Sequence, residues 1–166
     1  IDTLAAINQD LVINKSLRLY ARGQSARFGN GRNLTLSATG ASTQITLENL
    51  WISGRIDASI GSSTAAHSQQ LTLRGLRITP SLLGETATVS VTASGSVTSS
   101  YSLTIEHCHL LENGFAPSTH AALRIYHQST QGTVTASVRE NQIMAAAHGV
   151  LLWMNSRNSV SFIDAN

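Results

Sequence analysis

Two short patterns of alternating residues recur along this chain, and their spacings lengthen and shorten together. The first is an apolar, a polar and an apolar residue, then two more, then an apolar residue or Asn. It runs Ile45-Thr46-Leu47-Glu48-Asn49-Leu50, Leu71-Thr72-Leu73-Arg74-Gly75-Leu76, Leu103-Thr104-Ile105-Glu106-His107-Cys108 and Ala136-Ser137-Val138-Arg139-Glu140-Asn141. Weaker copies stand at Leu17-Arg18-Leu19 and Val160-Ser161-Phe162. The second pattern lies between these, at Leu11-Val12-Ile13, Leu34-Thr35-Leu36, Ile56-Asp57-Ala58, Val89-Ser90-Val91, Leu123-Arg124-Ile125 and Val150-Leu151-Leu152. Steps in the first track are 28, 26, 32, 33 and 24 residues, and in the second 23, 22, 33, 34 and 27.

A period of two buries one side chain and exposes the next, and segments this short are strands. Two tracks that stretch in step are what one repeating coil with a variable loop produces. An antiparallel sandwich imposes no such coupling. The expected fold is therefore all-β: a right-handed, single-stranded parallel β-helix of about six coils, forming one domain over residues 1–166. Right-handedness follows from the general preference of parallel crossovers. Aligned coils also place Glu48, Arg74, Glu106 and Arg139 in one outward row, where opposite charges meet at each step.

Composition agrees with sheet. Hydrophobic residues make up 42% and charged residues 12% of the chain, too apolar for disorder and too poor in charge for a helical bundle. No run reaches the roughly 18–20 apolar residues of a membrane helix. The single cysteine, Cys108, excludes an intrachain disulfide and aligns with the inward Leu50 and Leu76. Net charge is +2, yet Lys15, Arg18, Arg22, Arg27 and Arg32 fall between Asp10 and Glu48 with no acid among them. That basic third suits a polyanion such as an acidic glycan, because the guanidinium fork matches carboxylates. Nucleic acid is not expected, since no recognition element or interleaved aromatics accompany the charge.

The stretch Asp2-Thr3-Leu4, followed by Leu11 to Leu19, resembles the first coil of the pectate-lyase-like right-handed β-helix proteins. The later Leu103-Thr104-Ile105 and Val138-Arg139-Glu140-Asn141-Gln142-Ile143 segments resemble their generic repeats. This likeness implies an exported bacterial protein, periplasmic, cell-surface or secreted. It also implies a fragment or module of a longer chain, its ends covered by further chain or by oligomer contacts. Fold alone does not carry chemistry.

The resemblance raises polysaccharide lyases, which combine a calcium-binding acidic cluster with a basic residue, and glycoside hydrolases, which need two carboxylates. Here the acids are scattered, and Glu106 between Arg74 and Arg139 is the nearest approach to a lyase site. Calcium enters only under that alternative. His107 and His109 flank Cys108 as weak metal candidates, with His120 and His148 a second pair. Tyr126 and Trp153 register as outward neighbours, a platform for a sugar face, and Trp51 aligns outward beside Arg77. The leading expectation is a non-catalytic module that contacts carbohydrate or serves as a rigid surface scaffold. A lyase or hydrolase comes second and a metal-handling β-helix third.

Overall fold

The computed structural model describes residues 9–22, 26–28, 33–38, 42–61, 68–79, 87–94, 100–111, 121–128, 133–144 and 148–154. Every regular element among them is a β-strand. In chain order they are β1 (Leu11–Ile13), β2 (Leu17–Tyr20), β3 (Ala26–Phe28), β4 (Leu34–Ala38), β5 (Thr43–Glu48), β6 (Leu50–Ser53), β7 (Ile56–Ile60) and β8 (Ser68–Arg74). They continue with β9 (Arg77–Thr79), β10 (Ala87–Ala93), β11 (Ser100–Glu106), β12 (His109–Leu111), β13 (Ala121–His127), β14 (Thr133–Arg139), β15 (Gln142–Met144) and β16 (His148–Met154). The expected copy at Val160 to Phe162 lies outside the described residues.

Each sheet takes every third strand. The first is ordered β1-β4-β7-β10-β13-β16, the second β2-β5-β8-β11-β14 and the third β3-β6-β9-β12-β15. All described pairs are parallel. Three parallel sheets visited in rotation are consistent with a parallel β-helix.

The register is the one the sequence patterns demand. Leu11, Leu34, Ile56, Val89, Leu123 and Val150 follow one another across the first sheet. Leu17, Ile45, Leu71, Leu103 and Ala136 do so across the second. Leu47, Leu73, Ile105 and Val138 are buried, as are Ile52, Ile78 and Leu110 of the third sheet, and all join one apolar core. On β2, the outermost described strand of its sheet, Leu17 is 40% exposed.

The corner between the second and third sheets is built the same way in four successive rounds. Asn49, Gly75, His107 and Glu140 occupy it with φ of 54°, 60°, 54° and 54°. That left-handed residue reverses the alternation, so Glu48 and Leu50, or Arg74 and Leu76, fall on different sides of the wall. Its N–H still joins the ladder: Asn49 donates to Arg74 O and Gly75 to Glu106 O. At Gly75 a Cβ would meet Asn49 Oδ1 at 2.4 Å, the tip of an exposed side chain that can move aside, so the positive φ is what favours glycine here. The next residue points inward as Leu50, Leu76 and Cys108, all buried. After Glu140, in the fourth of these rounds, Asn141 fills this place. Its Oδ1 accepts from Cys108 N (2.9 Å), and its Nδ2 donates to Ile105 O (3.0 Å).

Removing one inward side chain leaves a void that neighbouring rounds cannot fill without breaking register. Leu73→Ala should therefore cost about 2–5 kcal/mol, whereas Thr72→Ala on the outer surface should cost less than about 1 kcal/mol. Urea unfolding of both variants checks this, and equal losses would contradict the inward column.

Candidate functional site

The outward row of charges on the second sheet forms as a ladder, with one change from expectation. Glu48 and Glu106 are buried, at 8% and 2% exposure, whereas the row was expected to be exposed. The reason is geometric. A short glutamate sits between two long arginines from neighbouring rounds, and their stems close over it. Arg18 donates to Glu48 Oε2 from Nε (3.0 Å) and Nη2 (2.7 Å), and Arg74 Nη1 lies 3.6 Å from Glu48 Oε1. Arg74 also grips Glu106 Oε1, and Arg139 holds Glu106 Oε2 at 2.8 Å from Nε and 2.6 Å from Nη2.

This arrangement fixes the protonation of Glu106. Burial raises its pKa, but the hydrogen bonds from Arg139 and Arg74 outweigh that and hold the carboxyl below its ordinary 4.5. Both oxygens are taken by guanidinium groups. A carboxylate so clamped is a poor proton donor at neutral pH.

The other described acids are also engaged singly. Asp10 Oδ1 accepts from Asn33 N (2.9 Å), Asp57 pairs with Arg55 (2.6 Å), and Glu140 Oε2 lies 3.0 Å from His107 Nε2. Among the described residues no group of three or more His, Cys, Asp or Glu side chains could hold a metal ion. Calcium takes six to eight oxygens, so the described carboxylates do not fit it.

His107 stands in the left-handed corner and His109 on β12, both exposed, with the buried Cys108 between them. Desolvation raises the Cys108 thiol to about 11, and its Sγ lies 3.3 Å from Glu106 O and 3.6 Å from Leu73 O. It is an unreactive core group. His120 lies outside the described residues, and His148 pairs in register with Ala121. On the third sheet Trp51 and Arg77 are neighbours, with the guanidinium carbon 4.9 Å from the indole centroid. The cation thus covers one face of the ring. Arg32 and the side chain of Arg27 fall outside what is described, while Lys15, Arg18 and Arg22 are exposed.

The first sheet carries the most distinctive outward surface. One column reads Ser37, Ser59, Thr92, Tyr126, Trp153 and the next Thr35, Asp57, Ser90, Arg124, Leu151. Tyr126 and Trp153 meet with ring centroids 5.7 Å apart and planes at 78°, so they make an angled pair rather than one flat platform. The ring quadrupoles favour this edge-to-face contact over a sandwich. Trp153 is 58% exposed. Arg124 donates from Nη2 to Ser90 Oγ (3.0 Å).

A buried polar corner lies between the first and second sheets. Gln69 Oε1 accepts from Gly61 N (2.8 Å), while the Tyr101 hydroxyl and both nitrogens of His127 are shut from solvent with no hydrogen-bond partner among the described residues. The signal for His127 was available, since it continues the inward alternation of Leu123 and Ile125. Desolvation holds its imidazole below the ordinary 6.5.

Comparison with protein-family models, with curated proteins and with solved structures gave no match. No helix among the described residues is long and apolar enough to cross a membrane.

Two acid sensitivities follow. The unfolded chain protonates His127 before the folded one does, so stability falls as pH drops below about 6.5. His127→Leu should flatten the melting temperature between about pH 7 and pH 5. Glu106 acts lower: its contribution is present above its unfolded pKa and lost as pH falls through the depressed folded value. Glu106→Gln should cost about 1–3 kcal/mol at pH 7, with the deficit shrinking in acid. Thermal melts across pH measure both, and an unchanged profile in either variant would remove that residue from the account.

Proposed function

We propose that this chain is a right-handed, single-stranded parallel β-helix module of an exported bacterial protein, of the pectate-lyase-like kind, that contacts carbohydrate without cleaving it. The observation that carries the reading is the outward Tyr126–Trp153 pair, rings 5.7 Å apart, in a column that otherwise bears Ser37, Ser59 and Thr92. Sugars offer apolar ring faces flanked by hydroxyls, and they bind where an aromatic surface adjoins small polar donors and acceptors. A parallel ladder keeps such groups at a fixed pitch of about 4.8 Å from round to round. An extended polysaccharide could lie across several rounds.

The runner-up is a polysaccharide lyase or hydrolase, and Glu106 between Arg74 and Arg139 is the cluster that favours it. Against that stands the engagement of both Glu106 oxygens by arginine. A rigid scaffold role needs none of these surfaces and is what remains if no glycan binds.

Acidic and neutral polysaccharides, presented with and without calcium, separate the readings. The module should bind at least one of them and release no new chain ends. Trp153→Ala or Tyr126→Ala should weaken that binding about tenfold or more, near 1.4 kcal/mol. Cleavage products would transfer the case to the enzyme, and absence of binding to every glycan would leave only the scaffold.

A further inference from the structure

One arginine is withdrawn from solvent without an acid against it among the described residues, whereas Lys15 and Arg22 are exposed. Arg18, Arg74 and Arg139 each hold a glutamate, Arg55 holds Asp57, and the exposed Arg77 lies on Trp51. Arg124 is half-buried, and among the described residues it donates one hydrogen bond, to the neutral Ser90 hydroxyl at 3.0 Å. Its Nε is closed to solvent and has no acceptor among the described residues. In the same column Asp57 stands two strands away, about 9–10 Å at ladder spacing, and is already taken by Arg55. A guanidinium removed from part of its water and given no counter-charge is a cost to the fold. Burial should select against it unless an anion arrives there in function.

The surroundings say which anion. Tyr126 is two residues along β13 on the same face, about 7 Å away, and Trp153 adjoins it on β16. The exocyclic substituent of a pyranose ring packed on these aromatics extends beyond the ring into the roughly 7 Å between Tyr126 and Arg124. We propose that Arg124 is the charge-recognising residue of this face, binding the oxyanion of a charged sugar residue whose ring packs on Tyr126 and Trp153. This rests on the carbohydrate reading above and names its chemical class: a carboxylate or sulfate ester on a sugar. With Nε closed to solvent, the terminal Nη edge is the part of the guanidinium that meets either oxyanion. Ser90, at 6% exposure, holds one end of the guanidinium and thereby its plane.

Calorimetric titration of the whole chain with three oligosaccharides of equal length tests it: one of glucuronic acid, one of glucose 6-sulfate and one of glucose. The native protein should bind at least one charged probe about tenfold more tightly than the neutral one. Arg124→Gln should bring the charged probes down to the neutral level and leave the neutral affinity as it was. Trp153→Ala should weaken all three. Because the cation is uncompensated, Arg124→Gln should melt no lower than the native protein, a readout that a structural role would reverse. Arg124→Lys keeps a cation without the fork and should retain a reduced preference. Which charged probe gains more assigns carboxylate or sulfate. Charge preference surviving in Arg124→Gln, or a lowered melting temperature there, overturns the inference while the carbohydrate reading stands. Failure of the native protein to bind any probe overturns both.

Discussion

Hydrogen bonds between successive rounds of the chain govern everything else in this molecule. A parallel ladder requires equivalent residues to lie side by side, so a residue that points inward in one round forces its counterpart inward in the next. Leu47, Leu73, Ile105 and Val138 are one consequence, an unbroken inward line. The repeated left-handed corner at Asn49, Gly75, His107 and Glu140 is another. Three of those four residues carry a Cβ, at a cost of about 1–2 kcal/mol each. They tolerate it because the same N–H must reach the same carbonyl in the adjacent round.

The ladder also decides how charge is managed. Side chains in one outward column stand about 4.8 Å from their neighbours, close enough for like charges to repel strongly. Alternating Glu48, Arg74, Glu106 and Arg139 converts that proximity into attraction, and the crowding hides the carboxylates beneath the arginines. Arg18 completes the row diagonally, since Tyr20 is the residue directly opposite Glu48. A slip of one residue would set the charges among leucines, so the row defends the register as well as the surface.

How much of this could be read from sequence differs by level. The two longer tracks and their registers were legible, because apolar residues at period two mark both the strand and the face. The neighbourhoods of Trp51 with Arg77 and Tyr126 with Trp153 follow from the same registers. The third sheet was not legible as a track of its own. Its strands are only three or four residues long, so Ile78 or Leu110 alone signals the inward face. Burial of Glu106 and the isolation of Arg124 were hidden for a different reason. Both depend on what long side chains from other rounds do, which period and register leave open. The 78° between the Tyr126 and Trp153 rings likewise comes from ring electrostatics rather than from spacing.

A fold of this type asks little of its outward positions beyond strand-forming character and the avoidance of adjacent like charges. Serine, threonine and paired ions meet that requirement, and over most of the described surface that is what stands there: Thr46, Thr72 and Thr104 on the second sheet, Thr35, Ser37, Ser59 and Thr92 on the first. Departures therefore carry information. An exposed Trp153, an adjoining Tyr126 and a half-buried arginine with no acid against it among the described residues depart from that pattern, and all three fall on β13 and β16 of one sheet. Each is unfavourable or neutral for folding when taken singly. Their concentration in one place is what a binding face on an otherwise indifferent scaffold would leave in the structure.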